Sequence, residues 1–278
     1  MTISRMCKLG KVSRAGLYRF GSGAEPSDDD LDLRSEIQRI ALQFSCYGRP
    51  RITAELKRRG WKVNHKRVAR IMREDNLLCL RRKRFVTTTD SRHGLPVYPN
   101  LARDMELTRI NELWIADITY IRLEAEFVYL AVVLDAYSRR VIGWSLGRTL
   151  EDDLAIAALQ MAFRRRSPHE ALTHHSDRGV QYASGDYTAL LKNHGVTISM
   201  SRKGNPYDNA FCESFMKTLK YEEVYRQDYR NLADAHASIE RFLEKIYNGK
   251  RLHSALDYRP PIEFEQSLPV VSAQQVCA

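Results

Sequence analysis

Nowhere does the chain hold an apolar run long enough to cross a bilayer. The longest, Phe127 to Leu134, falls far short of the roughly 20 residues a spanning helix needs. The first residues, Met-Thr-Ile-Ser-Arg-Met-Cys-Lys, carry no apolar core of signal-peptide type, so no export is expected. Cysteine is scarce and scattered: Cys7, Cys46, Cys79, Cys212 and Cys277 never form a Cys-x-x-Cys pair. That odd, dispersed set argues against a disulfide framework and against a cysteine-rich zinc site. Internal repeats, low-complexity tracts and leucine heptads are also missing. What remains is 278 residues with 44% hydrophobic and 28% charged side chains, a globular mix with room for about two domains at roughly 150 residues each.

The charge is unevenly spread. The formal net charge is +10, yet residues 1–100 hold 22 Lys/Arg against 10 Asp/Glu, and residues 101–278 hold 22 against 24. A basic excess confined to the first third is the electrostatic footprint of contact with nucleic-acid phosphates. A solvated basic face kept for solubility would show the same number, so motifs must decide.

Periodicity in the basic third predicts helices. Residues 28–47 repeat Leu33, Ile37, Ile40, Ala41 and Phe44 at helical spacing, with Asp28, Asp29 and Asp30 as caps. A short helix over 51–59 closes at Gly60, and Asn64 caps a third over 65–75. Two short helices joined by a tight turn are the skeleton of a helix-turn-helix. On the third, Val68, Ile71 and Met72 share one face, while Lys66, Arg70 and Arg73 share the opposite one and are the candidate DNA contacts. Arg81-Arg82-Lys83-Arg84, then Thr87-Thr88-Thr89, Pro96 and Pro99, reads as a basic linker.

Beyond it the pattern changes to strands: 114–122 alternates, 127–134 is a short buried run, and 139–146 is a third. Helix 151–166, strand 171–174, helix 184–194, strand 196–200 and helices over 206–225 and 232–248 follow. Three antiparallel strands followed by α/β alternation make a mixed five-stranded sheet with flanking helices, the element order of an RNase H-like α/β domain. The domains expected are an N-terminal segment 1–27, a helix-turn-helix-like domain 28–80, a linker 81–106, an α/β core 107–266 and a tail 267–278.

Three carboxylates stand out. Asp117 lies inside an apolar strand, where an unpaired charge is costly and therefore functionally suspect. Asp177 follows the short fourth strand, and Glu213, separated from it by 35 residues, sits on a helix. On that helix Phe211, Phe215 and Leu219 form the apolar face, and Asn209, Glu213, Lys217 and Lys220 are placed opposite. Asp135 reads as a hairpin-turn residue, with a supporting role left open by its position near the sheet centre. His174 and His175 lie just before Asp177, with contact to metal or substrate as their lesser reading. Trp114, Trp144 and Cys212 read as core, and Tyr207 as packing or a base-stacking ring.

Trp114-x-x-Asp117-Ile118-Thr119-Tyr120, His175-Ser176-Asp177-Arg178-Gly179-Val180-Gln181-Tyr182, and Gly204-Asn205-Pro206-Tyr207-Asp208-Asn209-Ala210 leading to Glu213-Ser214-Phe215 closely resemble the integrase-type transposases. The similarity is to the second-reading-frame catalytic polypeptides of the IS3 family of bacterial insertion sequences. It extends to Val12–Arg19, Tyr47–Ile52, Tyr247-Asn248, Arg251–Leu256 and Pro260-Pro261, nearly the whole chain. The resemblance implies a DDE transposase with an RNase H-like integrase core, using Asp117, Asp177 and Glu213 as catalytic and metal-binding acids. It implies two Mg²⁺ or Mn²⁺ ions, nicking of element ends, and attack of the freed 3′-OH on another phosphodiester, with Lys220 and Lys217 near DNA phosphate. Its partners would be insertion-sequence ends and target DNA, further copies of the chain on that DNA, and an upstream-frame protein or fusion supplying an extra helix-turn-helix and zipper. Its setting would be the bacterial cytoplasm, at the nucleoid. The other readings are a catalytically inactive DNA-binding regulator or domesticated remnant, and an RNase H-type nuclease without strand joining.

Overall fold

The structure is a computed structural model that describes residues 2–10, 12–15, 28–77, 96–103, 105–168, 171–201 and 210–269. The basic linker residues 81–95 and the Gly204–Asn209 string, Tyr207 included, lie outside the described residues. The chain divides into two compact units, Met1–Leu80 and Arg81–Ala278.

Among its described residues the first unit is helical: α1 (Ile3–Leu9), α2 (Asp28–Gln43), α3 (Arg49–Arg58) and α4 (His65–Glu74). The predicted periodicities become its core: Leu33, Ile37 and Ile40 of α2, Ile52 and Leu56 of α3, and Val68, Ile71 and Met72 of α4 are all buried. The chain leaves α3 through Gly60 at φ +88°, a left-handed turn open to glycine. It enters α4 at Asn64, whose side chain accepts from the Lys66 N–H at 2.9 Å. Asp30 departs from expectation. Its carboxylate binds Arg67 (2.8 Å) and Arg70 (3.0 Å) across the unit, tying α2 to α4.

The second unit is built on a five-stranded sheet in the order β3-β2-β1-β4-β5. The strands are β1 (Leu113–Arg122), β2 (Phe127–Asp135), β3 (Val141–Gly147), β4 (Thr173–Ser176) and β5 (Thr197–Met200). β1 to β3 pair antiparallel, and β4 and β5 join parallel to β1. The helices are α5 (Asp152–Arg165), α6 (Val180–Ala183), α7 (Gly185–Asn193), α8 (Ala210–Glu222), α9 (Leu232–Glu240) and α10 (Pro261–Gln266). A π-helical stretch, Arg241–Tyr247, prolongs α9.

The alternation of β1 and β2 supplies two cores, one per face. Leu113, Ile115, Ile121, Leu130 and Val132 meet Phe215 and Leu219 of α8, with Ile239 and Phe242 behind. Trp114, Ala116, Ala131 and Val133 meet Ala158 and Leu159 of α5, with Tyr187 and Leu191 of α7. This is a helix–sheet–helix sandwich. α5 approaches β3 to backbone contact: a Cβ on Gly143 would lie 2.1 Å from the Ala158 carbonyl oxygen, so only glycine fits.

Two strand starts fall later than the sequence predicts. Arg139 (φ +62°) and Ala171 (φ +79°) occupy left-handed turn positions, so β3 begins at Val141 and β4 at Thr173. The C-terminal segment then clamps the layers. Asn248 is buried and exchanges two hydrogen bonds of 2.9 Å with the Val141 backbone. Arg251, also buried, grips Glu222 at the end of α8 through two bonds of 2.8 Å.

Candidate active site

The site forms where parallel pairing stops. Ala116 of β1 stands opposite Ser176, the last residue of β4. Asp117 and Asp177 are therefore next neighbours across the two strands, although 60 residues apart in the chain. Past this point β1 is paired with β2 alone, Asp117 facing Val132. A crevice outside the carboxyl ends of parallel strands is the usual ligand position of open α/β sheets.

Asp117 is partly buried, and its Oδ1 accepts the Ile118 N–H at 2.9 Å. Burial pushes its carboxyl up to about 8, the charges of Asp177 and Glu213 push the same way, and the Lys220 ammonium opposes them. Two of the predicted acids thus act on the third, and Lys220 opposes them. Asp177 is oriented by its own turn, its Oδ1 accepting the Gly179 N–H at 2.8 Å. A Cβ at Gly179 would come within 2.9 Å of that oxygen, which accounts for the glycine in the motif. Glu213 is exposed in the first turn of α8, and Lys217 is exposed one turn later. Among the described residues, no three His, Cys, Asp or Glu side chains lie close enough to ligate a single ion. The acids form an electrostatic cluster centred on Asp117, not a closed coordination shell.

Lys220 corrects the sequence reading. Helical spacing put it on the outer face with Glu213, yet it is 6% exposed, turned inward with its ammonium 4.4 Å from the centre of the Tyr120 ring. Burial lowers its pKa to about 8, against the pull of Asp117. The packing face of α8 is Cys212, Phe215, Met216 and Leu219. Phe211 is only partly buried and lies under the Arg139 guanidinium at 4.0 Å. Tyr120 was not singled out from sequence, because strand alternation puts it on the face opposite Asp117 and no local signal links it to α8.

The neighbouring side chains have structural roles. His174 is buried with Nε2 2.9 Å from the Tyr187 hydroxyl, and burial lowers its pKa to about 3. His175 lies 2.8 Å from Ser199 Oγ and 3.1 Å from Ser201 Oγ. Burial pushes the Cys212 thiol up, as do the charges of Asp117 and Asp177, so it is no nucleophile. Trp114 and Trp144 are core, as expected. Asp135 is more than a turn residue: fully buried, it accepts from the N–H groups of Asn111 (2.7 Å), Tyr137 (3.0 Å) and Ser138 (2.9 Å), and from the Ser138 hydroxyl (3.2 Å).

In the first unit the cationic stripe is divided. Arg70 is held by Asp30 at 3.0 Å and Glu74 at 3.1 Å, whereas Lys66 and Arg73 are exposed and make no ion pair among the described residues. Lys57, Trp61, Lys62, Asn64 and His65 line a shallow cavity at the α3–α4 turn.

Comparison with known proteins defines the class first. The family described as integrase core domain matches residues 108–206, a second integrase core domain family matches 194–261, and an HTH-like domain family matches 27–85. With its RNase H-like sheet, the second unit is an integrase-type polynucleotidyl transferase core. The 31 kDa protein of insertion element IS600 from Shigella sonnei is 37% identical over 96% of this chain and 100% of its own length. The transposase InsF of insertion sequence IS3A from Escherichia coli K12 is 37% identical over 95% of this chain and 94% of its own. The chain belongs to the IS3 family of insertion-sequence transposases, proteins of DNA transposition and integration. Among solved structures, the simian T-cell lymphotropic virus intasome resembles it at 16% identity and a TM-score of 0.47, over 87% of this chain and 80% of that one. The HTLV-2 integrase catalytic core in complex with magnesium does so at 16% and 0.40, over 56% of this chain and 97% of that one.

Proposed function

We propose that Asp117, Asp177 and Glu213 are the catalytic acids of this transposase, and that they hold the divalent cations, two Mg²⁺ or Mn²⁺, that its chemistry requires. The observation that carries the reading is the β1–β4 pairing that ends at Ala116 and Ser176 and so sets Asp117 next to Asp177, with the charges of Asp177 and Glu213 both felt at Asp117 and Lys220 as counter-charge. Oxygen-only donors suit a hard divalent cation, and an acid pushed up to about 8 by burial and its acidic neighbours belongs to a cluster short of positive charge. Bound cations supply Lewis acidity for in-line displacement at phosphorus.

The protein does the rest. Asp117 would hold a cation in its carboxylate form, its proton passing to solvent. Asp177 is held ready by the Gly179 N–H. Glu213 closes the cluster from the exposed side of α8 with Lys217 beside it to hold DNA phosphate, while Lys220 acts from the buried side as counter-charge to Asp117. Cys212, buried and with its thiol pushed up, is not proposed as a covalent nucleophile. Water serves for nicking an element end, and the freed 3′-OH for joining. Lys66 and Arg73, with a lesser share from Arg70, contact DNA in a helix-turn-helix-like domain spanning 28–80, ahead of a linker 81–106 and a catalytic core 107–266. Several copies assemble on paired ends with an upstream-frame protein or fusion partner, in the bacterial cytoplasm.

A strand-transfer assay on a pre-nicked oligonucleotide tests this. Joined product that needs Mg²⁺ or Mn²⁺, and is abolished in each of Asp117→Asn, Asp177→Asn and Glu213→Gln, is the expected result. Cleavage without joining would favour an RNase H-type nuclease, and binding alone a regulator. Near-normal joining by Glu213→Gln would remove the third acid from the site.

A further inference from the structure

Tyr182 is 2% exposed, and its hydroxyl oxygen is buried with no hydrogen-bond partner among the described residues. A buried hydroxyl without a partner is unfavourable, and a phenylalanine would fill the same space without that cost. The surroundings say what the oxygen is for. Tyr182 closes the turn that follows Asp177, its N–H donating to the Gly179 carbonyl at 3.0 Å. A Cβ built on Gly179 would lie 2.9 Å from Asp177 Oδ1 and 3.6 Å from Tyr182 Cδ2, so carboxylate and ring flank the same small residue. The ring is held edge-on to Tyr187 at 5.3 Å, and Tyr187 is fixed in turn by His174. Burial above all, then Tyr187 and the charges of Asp117 and Asp177, pushes the phenol's pKa up, so the hydroxyl keeps its proton and can donate it in a hydrogen bond.

We infer that Tyr182 is a positioning residue of the acidic site, its hydroxyl donating to the Asp117–Asp177 carboxylate pair when the pair closes on a divalent cation. The inference rests on the metal-binding role proposed for those acids. Ligating carboxylates are themselves hydrogen-bonded, which fixes their rotamers and tunes affinity. A rigid phenol at the Asp177 turn provides such a bond without being a ligand.

The test is Mn²⁺ uptake by the full chain, read from the paramagnetic resonance signal of free Mn²⁺, beside metal-free thermal melting. Wild type, Asp117→Asn and Tyr182→Phe are compared. Wild type should bind and Asp117→Asn should not. Tyr182→Phe should bind about tenfold more weakly, with a metal-free melting temperature at or above wild type because an unpartnered hydroxyl is gone. Unchanged Mn²⁺ affinity in Tyr182→Phe, or a lowered metal-free melting temperature, overturns the inference and leaves the catalytic acids standing. No uptake by wild type, or equal uptake by Asp117→Asn, overturns the metal-binding reading itself.

Discussion

The Lys220 ammonium stands 4.4 Å from the centre of the Tyr120 ring, on the inward side of α8. A cation over an aromatic face keeps part of the stabilisation it gives up on leaving water. Its charge also favours the ionised form of Asp117. A buried cation beside an acid, shifted by desolvation and by that partner, is a functional-site candidate.

Replacing Lys220 by Met removes the charge and keeps the length. Strand joining should fall on the order of 100-fold, the scale of removing one preorganised electrostatic group. The metal-free melting temperature should hold or rise, because an apolar chain replaces a desolvated ammonium. Joining rates beside melting curves check both. An unchanged joining rate would remove Lys220 from its role as counter-charge to Asp117.

Stability without metal should depend on pH through Asp117. Its folded pKa is raised to about 8 from 3.8, so between those values the folded state binds more protons than the unfolded state. Unfolding free energy must then fall as pH rises through that window. Urea melts at about pH 5 and about pH 7.5, in chelator, should show the drop, and Asp117→Asn should flatten it. A divalent cation at the higher pH should restore stability to wild type only.

Asp135→Asn should damage the fold. The amide cannot accept all the N–H and O–H donors now aimed at the carboxylate, and one mispaired buried group costs about 1–3 kcal/mol. Equilibrium urea unfolding measures this, with exposed Asp228→Asn as the neutral comparison. Equal stability of the two variants would contradict the hub geometry.

In the first unit, Lys66→Ala and Arg73→Ala should each make the salt dependence of DNA binding shallower, by roughly 0.9 in the log–log slope for each phosphate no longer neutralised. Arg70→Ala should act less on that slope and more on melting, since its guanidinium is shared between Asp30 and Glu74. Binding titrations over a range of salt, beside melting curves, separate the two. Equal slopes in all three variants would mean that the acid partners do not withhold Arg70 from DNA.

Short-range pattern alone determined a good deal about this protein. The i, i+3, i+4 repeats placed Val68, Ile71 and Met72 on the inner face of α4, and strand alternation sorted β1 and β2 between two cores. The Asp117, Asp177 and Glu213 strings were legible because backbone needs travel with them, such as the glycine that Asp177 requires two residues on. These signals survive in sequence because each is set by neighbours within one or two turns or strand steps. Only the tertiary structure decided which distant groups meet. Parallel pairing of β1 with β4 brought Asp117 beside Asp177, and the seating of α8 turned Lys220 inward onto Tyr120. A distant donor, the Asn111 N–H, likewise joined the local turn bonds of Asp135, and Asp30 took Arg70 out of the free cationic stripe. Register between strands and the rotation of a packed helix are fixed by long-range burial, which local periodicity does not encode.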